Sequence, residues 1–145
     1  MLSAENSPAV EPRLIPTLGP EYDFFWEGAR EGELRFQRCS DCDLPRFPVS
    51  DACRFCGSFA WRPWASSGRG TVFSYSFVRR PRVNYLPDDA AVAVISLEEG
   101  LRFPSNVLHV TPSMIDFGME VEVIWQTVSD PTGTSALQLP LFVLA

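Results

Sequence analysis

The cysteines of the chain form two matched pairs, Cys39 with Cys42 and Cys53 with Cys56, and no fifth cysteine is left over. A tetrahedral metal site needs four soft ligands at one point, and two C-x-x-C turns supply them as facing knuckles. The spacing predicts a closed structural zinc site with no coordination position open to a substrate. Iron in a rubredoxin-like site uses the same ligands and stays an alternative metal. A redox role is the weaker interpretation, because neither pair opens a helix after a strand.

Groups suited to catalysis are scarce in the rest of the chain. His109 is the only histidine, and there is no lysine for a Schiff base and no G-x-S-x-G nucleophile motif. The acidic pairs Asp88-Asp89 and Glu98-Glu99 stand in turn-like settings, where solvated loop tips are the usual interpretation. We therefore predict no catalytic residue and no enzymatic activity of the chain by itself.

A cluster of arginines, Arg79, Arg80 and Arg82, follows a strand predicted over residues 71–78. Guanidinium forks match phosphate oxygens in a bidentate manner, so the cluster is a candidate contact for the nucleotide end of coenzyme A or for a partner protein. A solvated loop is the alternative interpretation.

Composition limits the classes of function. The 145 residues have a formal net charge of −6, which argues against general binding to nucleic-acid phosphates. The longest apolar runs are far too short to span a bilayer, and the N-terminus does not resemble a signal peptide. Paired metal-ligand cysteines fit a reducing compartment, and we expect the protein in the cytoplasm.

The first half of the sequence predicts an arm, a helix and a ribbon. Residues 1–20 hold regularly spaced prolines and are expected to be an extended arm. Tyr22, Phe25, Trp26 and Ala29 fall on one face of a short helix. We expect this face to pack on its own domain, and a docking surface for another subunit is the alternative. The helix and a zinc ribbon are expected to fill residues 21–65, with a core separate from that of residues 66–145.

The second half predicts a mainly β domain over residues 66–145. Five strands and a brief helix over residues 111–117, between the third and fourth strands, indicate a closed barrel of the OB type. The alternating aromatics Phe73, Tyr75 and Phe77 are typical of core, although they also suit a platform for stacked bases. The predicted fold class is therefore an N-terminal helix and four-cysteine zinc ribbon followed by a five-stranded OB barrel.

Several short stretches resemble the acyl-CoA-associated OB-fold proteins that carry an N-terminal rubredoxin-like zinc ribbon. The similar stretches run from about residue 22 to residue 142 and comprise Phe25–Gly28, Gly32–Cys39, Cys42, Phe47–Pro48, Cys53–Gly57, Ser67–Val72, Leu97–Gly100, Ser105–Asn106, Gly118–Val121 and Leu139–Phe142. The arginine cluster lies outside them. The resemblance implies that the four cysteines bind metal, and it identifies no catalytic residue.

Members of this family are usually accessory to thiolase-like enzymes, enoyl-CoA hydratases or related acyl-CoA enzymes, including those of steroid side-chain degradation. The resemblance therefore implies a non-catalytic subunit of an acyl-CoA-processing complex. The expected partner is a thiolase-like enzyme that performs thiolytic or retro-aldol cleavage, or a hydratase, with two copies of each chain. The alternative function is a module that binds single-stranded nucleic acid.

Overall fold

An aromatic helix precedes the ribbon in the computed structural model, which describes residues 16, 19–80, 86–129 and 136–145. A 3₁₀ turn over Pro20–Tyr22 leads into helix α1, Asp23–Arg30, and Gly32 follows with a φ of 76°. Phe25 and Ala29 are the large and small apolar residues that α1 buries. The predicted helix is thus confirmed, whereas the predicted arm lies mostly outside the described residues.

A small antiparallel sheet forms the ribbon. Its strands are β1 (Arg35–Cys39), β2 (Pro45–Arg46) and β3 (Trp61–Ala65), in the order β2-β1-β3. Strand β1 ends at the first cysteine, and the register places Cys39 opposite Trp61. Because β2 is only two residues long, the chain between the two cysteine pairs is mainly loop.

Five further strands close into a barrel, as predicted. They are β4 (Arg69–Ser76), β5 (Ala90–Leu97), β6 (Arg102–Leu108), β7 (Glu120–Ser129) and β8 (Ala136–Leu144), in the order β4-β5-β6-β8-β7. The parallel β6–β8 contact, Val107 opposite Phe142, completes the OB barrel. At Gly70 a Cβ atom would stand 2.3 Å from the carbonyl oxygen of Ser96, so only glycine fits this strand crossing.

The ribbon and the barrel share one core, so the expectation of separate cores is wrong. Phe36 of the ribbon and Phe103 of the barrel have ring centroids 5.6 Å apart, and Phe47 lies 5.3 Å from Phe103. Phe25 of α1 joins the same buried cluster, as does Phe142 of β8. These aromatic side chains pack across the junction, so the ribbon and the barrel bury apolar surface against each other.

Two local predictions are also corrected. Residues 111–117 form turns rather than a helix: the N–H of Met114 donates to the carbonyl of Thr111, three residues back, and Gly118 has a φ of 79°. In β4 the register shifts between Val72 and Ser74. This bulge leaves Phe73 exposed, although its alternation with Tyr75 and Phe77 was typical of core.

No helix among the described residues has the length and apolar character that crossing a membrane requires.

Candidate metal centre and neighbouring sites

The fold brings the four cysteine sulfurs together. All four Sγ atoms lie within 4.8 Å of one another, with 3.6 Å between Cys39 and Cys56 and 3.6 Å between Cys42 and Cys53. These separations are far longer than a disulfide bond. Four sulfurs about 2.3 Å from a central zinc ion would stand about 3.8 Å apart. The sulfur set therefore fits a tetrahedral metal ion.

The two knuckles repeat one backbone pattern. The N–H of Asp43 donates to the carbonyl of Cys39 at 3.1 Å, and the N–H of Gly57 donates to the carbonyl of Cys53 at 2.8 Å. Asp43 and Gly57 both have left-handed backbones, with φ of 64° and 75°. Each turn folds the chain back so that both cysteines of its pair face the same point. Gly57 adopts this conformation without strain, and Asp is among the residues that tolerate it.

Arg46 is a buried guanidinium beside the metal centre, and sequence reasoning did not identify it. Its Nη2 donates to the carbonyls of Ser58 at 2.9 Å and Ala60 at 3.0 Å, and its Nη1 contacts those of Ser50 and Asp51 at 3.4 Å. The residue is only 4% exposed. One side chain from β2 therefore holds the loop on both sides of the second knuckle.

The Nε of Arg46 is buried and has no hydrogen-bond partner among the described residues. Burial lowers the pKa of Arg46, but the nearby Cys39 and Cys53 thiolates outweigh this effect and raise it. A zinc ion with four thiolates carries a net charge of −2, so a fixed cation next to the site is electrostatically favourable. A signal was present in the sequence: Arg46 is one of only two basic residues between Cys42 and Cys56.

The thiols differ strongly in acidity when no cation is bound. Hydrogen bonds from the Cys42 amide and from Arg46 lower the pKa of Cys39 to about 5. The Leu44 amide lowers the pKa of Cys42, but burial and the sulfurs of Cys53 and Cys39 raise it to about 12. Four thiolates this close repel one another, and a divalent cation removes that repulsion.

The predicted anion contact is only partly described. Arg79 and Arg80 are exposed and line a cavity of about 440 Å³ together with Asp88 and Pro112. Arg82 lies outside the described residues. The lining of this cavity thus combines two guanidinium groups with one carboxylate.

The predicted docking face of α1 is partly internal. Phe25 is buried in the shared core, whereas Tyr22 and Trp26 are half-buried and line a groove of about 410 Å³. The opposite wall of the groove is the β6–β8 seam, including Pro104 and Pro140. Phe24, on another side of the helix, packs against Trp61 with ring centroids 4.9 Å apart.

In the described part of the chain, the few groups suited to acid–base chemistry do not converge. His109 is 74% exposed at its side chain, and its Nδ1 lies 3.5 Å from an exposed Asp89 carboxylate oxygen. The Glu99 carboxylate accepts hydrogen bonds from the Ser66 hydroxyl and the Ser67 amide, which fasten the segment after β3 to the β5–β6 turn. These contacts have the character of surface and structural interactions.

Fold and cysteine geometry together define a chain in which a rubredoxin-like ribbon is followed by an OB barrel. Family profiles described as "ChsH2, rubredoxin-like zinc ribbon domain" and "ChsH2, C-terminal OB-fold domain" match residues 26–62 and 64–126. A solved structure described as "Ltp2-ChsH2(DUF35) aldolase" superposes with a TM-score of 0.79 at 32% identity, covering 90% of this chain and 98% of that chain. The chain belongs to the ChsH2 family of zinc-ribbon and OB-fold proteins, also designated DUF35, and the resemblance seen in the sequence is confirmed.

Two longer relatives carry names of acyl-CoA enzymes. The "Probable enoyl-CoA hydratase alpha subunit" of Thermomonospora curvata is 34% identical over 92% of this chain. The "3-oxo-4,17-pregnadiene-20-carboxyl-CoA hydratase alpha subunit" of Mycobacterium tuberculosis is 34% identical over 76% of this chain. The chain spans 40% and 35% of the lengths of these two relatives. Their names describe whole proteins of which this chain resembles one part.

Proposed function

We propose that the protein is a non-catalytic subunit of an acyl-CoA-processing complex. The observation that carries the non-catalytic role is the contrast between a four-sulfur centre that fits a tetrahedral metal ion and the lack of convergent acid–base groups in the described residues. The names of the relatives support the acyl-CoA-processing complex. A metal held by four thiolates has no open position at which to activate water or polarise a thioester. A partner polypeptide then supplies the catalytic residues.

The metal in this proposal is zinc, held by Cys39, Cys42, Cys53 and Cys56. Its role is structural, because tetrahedral thiolate coordination fixes both knuckles and neutralises their charge. The knuckle side chains Phe55 and Phe59 are 55% and 76% exposed. Metal coordination, rather than apolar burial, therefore holds this end of the ribbon in shape. Iron is the alternative that metal analysis of the purified protein distinguishes.

The proposed partner is a thiolase-like enzyme that cleaves a carbon–carbon bond by a thiolytic or retro-aldol reaction. The solved relative named as an aldolase supports this choice, and the hydratase relatives make a hydratase subunit the next candidate. The pregnadiene carboxyl-CoA in the mycobacterial name supports a steroid side chain as the acyl group. We further propose a hetero-oligomer with two copies of each chain.

The proposed contact with the partner includes the groove between α1 and the barrel seam. Tyr22 and Trp26 present half-buried aromatic surface there, and aromatic residues of this kind commonly anchor protein interfaces. Arg79, Arg80 and Arg82 are proposed to approach the mouth of the partner's active site or the nucleotide end of coenzyme A. A guanidinium cluster suits either role, since both present negatively charged oxygens.

Co-purification tests the proposal. The tagged chain is isolated from its native organism, its partners are identified by mass spectrometry, and hydration and retro-aldol cleavage of acyl-CoA are assayed for each component and for the complex. We expect an acyl-CoA enzyme as partner, no turnover by the isolated chain, and higher partner solubility or turnover in the complex. Turnover by the isolated chain would contradict the proposal. Tight, salt-sensitive binding to single-stranded nucleic acid would instead favour that alternative function.

A further inference from the structure

The groove between α1 and the β6–β8 seam has no charged residue in its lining among the described residues. Its walls are mainly aromatic rings and prolines, and its two polar side chains bond within the barrel. The Ser105 hydroxyl donates to the carbonyl of Pro140 at 2.8 Å, and the Asn106 side-chain amide donates to that of Ala91 at 3.2 Å. Such a lining favours an uncharged, apolar occupant over a phosphate group or a charged peptide.

The tryptophan of the groove is held in one orientation by its neighbour in α1. Trp26 is half-buried, and its ring meets the buried Phe25 ring edge to face, with centroids 4.9 Å apart and an interplanar angle of 85°. A ring that is restrained in this way loses little conformational entropy when an apolar side chain packs on it. Aromatic-lined grooves of this kind bind extended, proline-containing segments.

The chain itself brings such a segment to the groove. Pro16 is among the described residues and lines the groove together with Tyr22 and Trp26. The two residues before it in the sequence, Leu14 and Ile15, are apolar. Consecutive Cα atoms are about 3.8 Å apart, so these two side chains are tethered at the edge of the groove. Because a short tether gives an effective concentration in the millimolar range, weak contacts are enough to fill the groove.

We propose that Leu14 and Ile15 pack in this groove in the free chain, against the rings of Tyr22 and Trp26. Both belong to residues 1–15, which lie outside the described residues and are attached to the groove through Pro16. A residue that precedes proline favours an extended backbone, and this conformation suits a groove between a helix and a strand seam. The segment covers apolar surface that would otherwise face water in an isolated subunit.

This cover also regulates assembly, a consequence that rests on the proposed function. The partner that we propose to contact the groove must displace Leu14 and Ile15 before it can contact Tyr22 and Trp26. If the segment covers the groove about nine-tenths of the time, the apparent affinity for the partner falls about tenfold. The segment thus reserves the groove for a partner that binds it more strongly than the chain's own residues do.

Nuclear magnetic resonance of the whole, metal-loaded chain tests the contact without any partner. The chain has four tryptophans, and the indole signal of Trp26 is the one that Trp26→Phe removes. We expect nuclear Overhauser effects between this ring and the methyl groups of Leu14 and Ile15. The double variant Leu14→Ser/Ile15→Ser should shift the Trp26 signal and leave the other three indole signals in place. The matched variant Leu2→Ser/Val10→Ser removes two apolar residues farther from the groove and should leave all four unchanged.

A labelled peptide of residues 8–16 measures the occupancy of the groove by competition. It should bind Leu14→Ser/Ile15→Ser at least about fivefold more tightly than the wild type, whose own segment competes with it. The matched variant Leu2→Ser/Val10→Ser should bind it as the wild type does. Equal peptide binding by all three proteins, or no Overhauser effects in the wild type, would overturn the proposal. Effects seen only between differently labelled chains in a mixed sample would overturn it in favour of a second copy as the source of the segment.

Assembly is measured separately, with the enzyme that co-purifies with the chain. We expect Leu14→Ser/Ile15→Ser to assemble at least about threefold more tightly than the wild type, because the groove is no longer covered. Weaker assembly of this variant would show that the segment binds the partner and would overturn its role as a cover. If no acyl-CoA enzyme co-purifies, the proposed function fails, whereas the resonance and peptide measurements on the free chain still decide the intramolecular contact.

Discussion

The two ends of the zinc ribbon are held by different forces. At the knuckle end, Phe55 and Phe59 are largely exposed and the four sulfurs converge. At the barrel end, Phe36 and Phe47 pack against Phe103 in the shared core. We therefore expect metal coordination to order the knuckle end, whereas apolar burial orders the barrel end.

Removing a sulfur ligand should have the largest effect and should be confined to the knuckle end. For Cys39→Ser we expect loss of the bound metal, since apparent binding free energies of structural zinc reach about 10 kcal/mol or more. Hydrogen exchange should lose protection at the amides of Asp43 and Gly57 while β5 stays protected. The control is Ser40→Ala, an exposed position in the same knuckle. Stoichiometric metal with a protected knuckle in Cys39→Ser would refute the division between the two ends.

The barrel end of the ribbon should unfold together with the barrel. Phe103 contacts Phe25, Phe36, Phe47 and Phe142, with ring centroids 5.3 to 6.4 Å apart. For Phe103→Ala we expect a loss of about 3–5 kcal/mol in the free energy of unfolding, from one cooperative transition in urea. The matched variant Phe59→Ala removes an exposed ring and should cost less than about 0.5 kcal/mol. Separate transitions of ribbon and barrel in the wild type would show that the shared core does not couple them.

Local patterns in the sequence predicted much of this molecule. The C-x-x-C spacing indicated the sulfur cluster because knuckle geometry depends on a few neighbouring residues. Alternation of apolar residues indicated the barrel strands in the same way, as at Val121 and Val123. Both kinds of feature are determined within a few residues of the chain.

Features that depend on distant contacts were not predictable. The junction of Phe36 with Phe103 joins residues far apart in the sequence, and no periodic pattern of apolar residues predicts this contact. The β4 bulge at Phe73 changes which aromatics face inward, and it follows from pairing with β5. Arg46 was missed because charged residues are normally exposed, and its burial depends on carbonyls from a loop that only the folded ribbon brings near.

Replacing Arg46 should weaken the knuckle end by an intermediate amount. For Arg46→Met we expect about 10- to 100-fold weaker zinc binding in a chelator competition, since the cation beside the thiolates and four carbonyl contacts are lost. Arg46→Lys keeps the positive charge but lacks the forked guanidinium donors. Its zinc affinity should lie between that of Arg46→Met and that of the wild type. Arg62→Met is the control, because it removes an exposed arginine whose ion pair is with Asp43. Unchanged zinc affinity in Arg46→Met would show that the knuckles need no neighbouring cation.

The smallest expected effect concerns the Glu99 contact that joins the segment after the ribbon to the barrel. Burial raises the pKa of Glu99, but hydrogen bonds from the Ser67 amide and the Ser66 hydroxyl outweigh it, so the pKa lies below its ordinary value of 4.5. Because the folded state favours the carboxylate, this stabilisation is present above pH 4.5 and is lost as the pH falls through the lowered pKa.

Glu99→Gln should therefore lower the free energy of unfolding at pH 7 by less than about 1 kcal/mol, since the group is partly exposed. The difference from the wild type should shrink below about pH 4 as the wild-type carboxylate protonates. Urea unfolding at pH 7 and at about pH 3.5 measures both values, and Glu120→Gln at an exposed position supplies the control for the change in net charge. If the difference in unfolding free energy between Glu99→Gln and the wild type is the same at both pH values, the charge of Glu99 does not stabilise the attachment of the ribbon to the barrel.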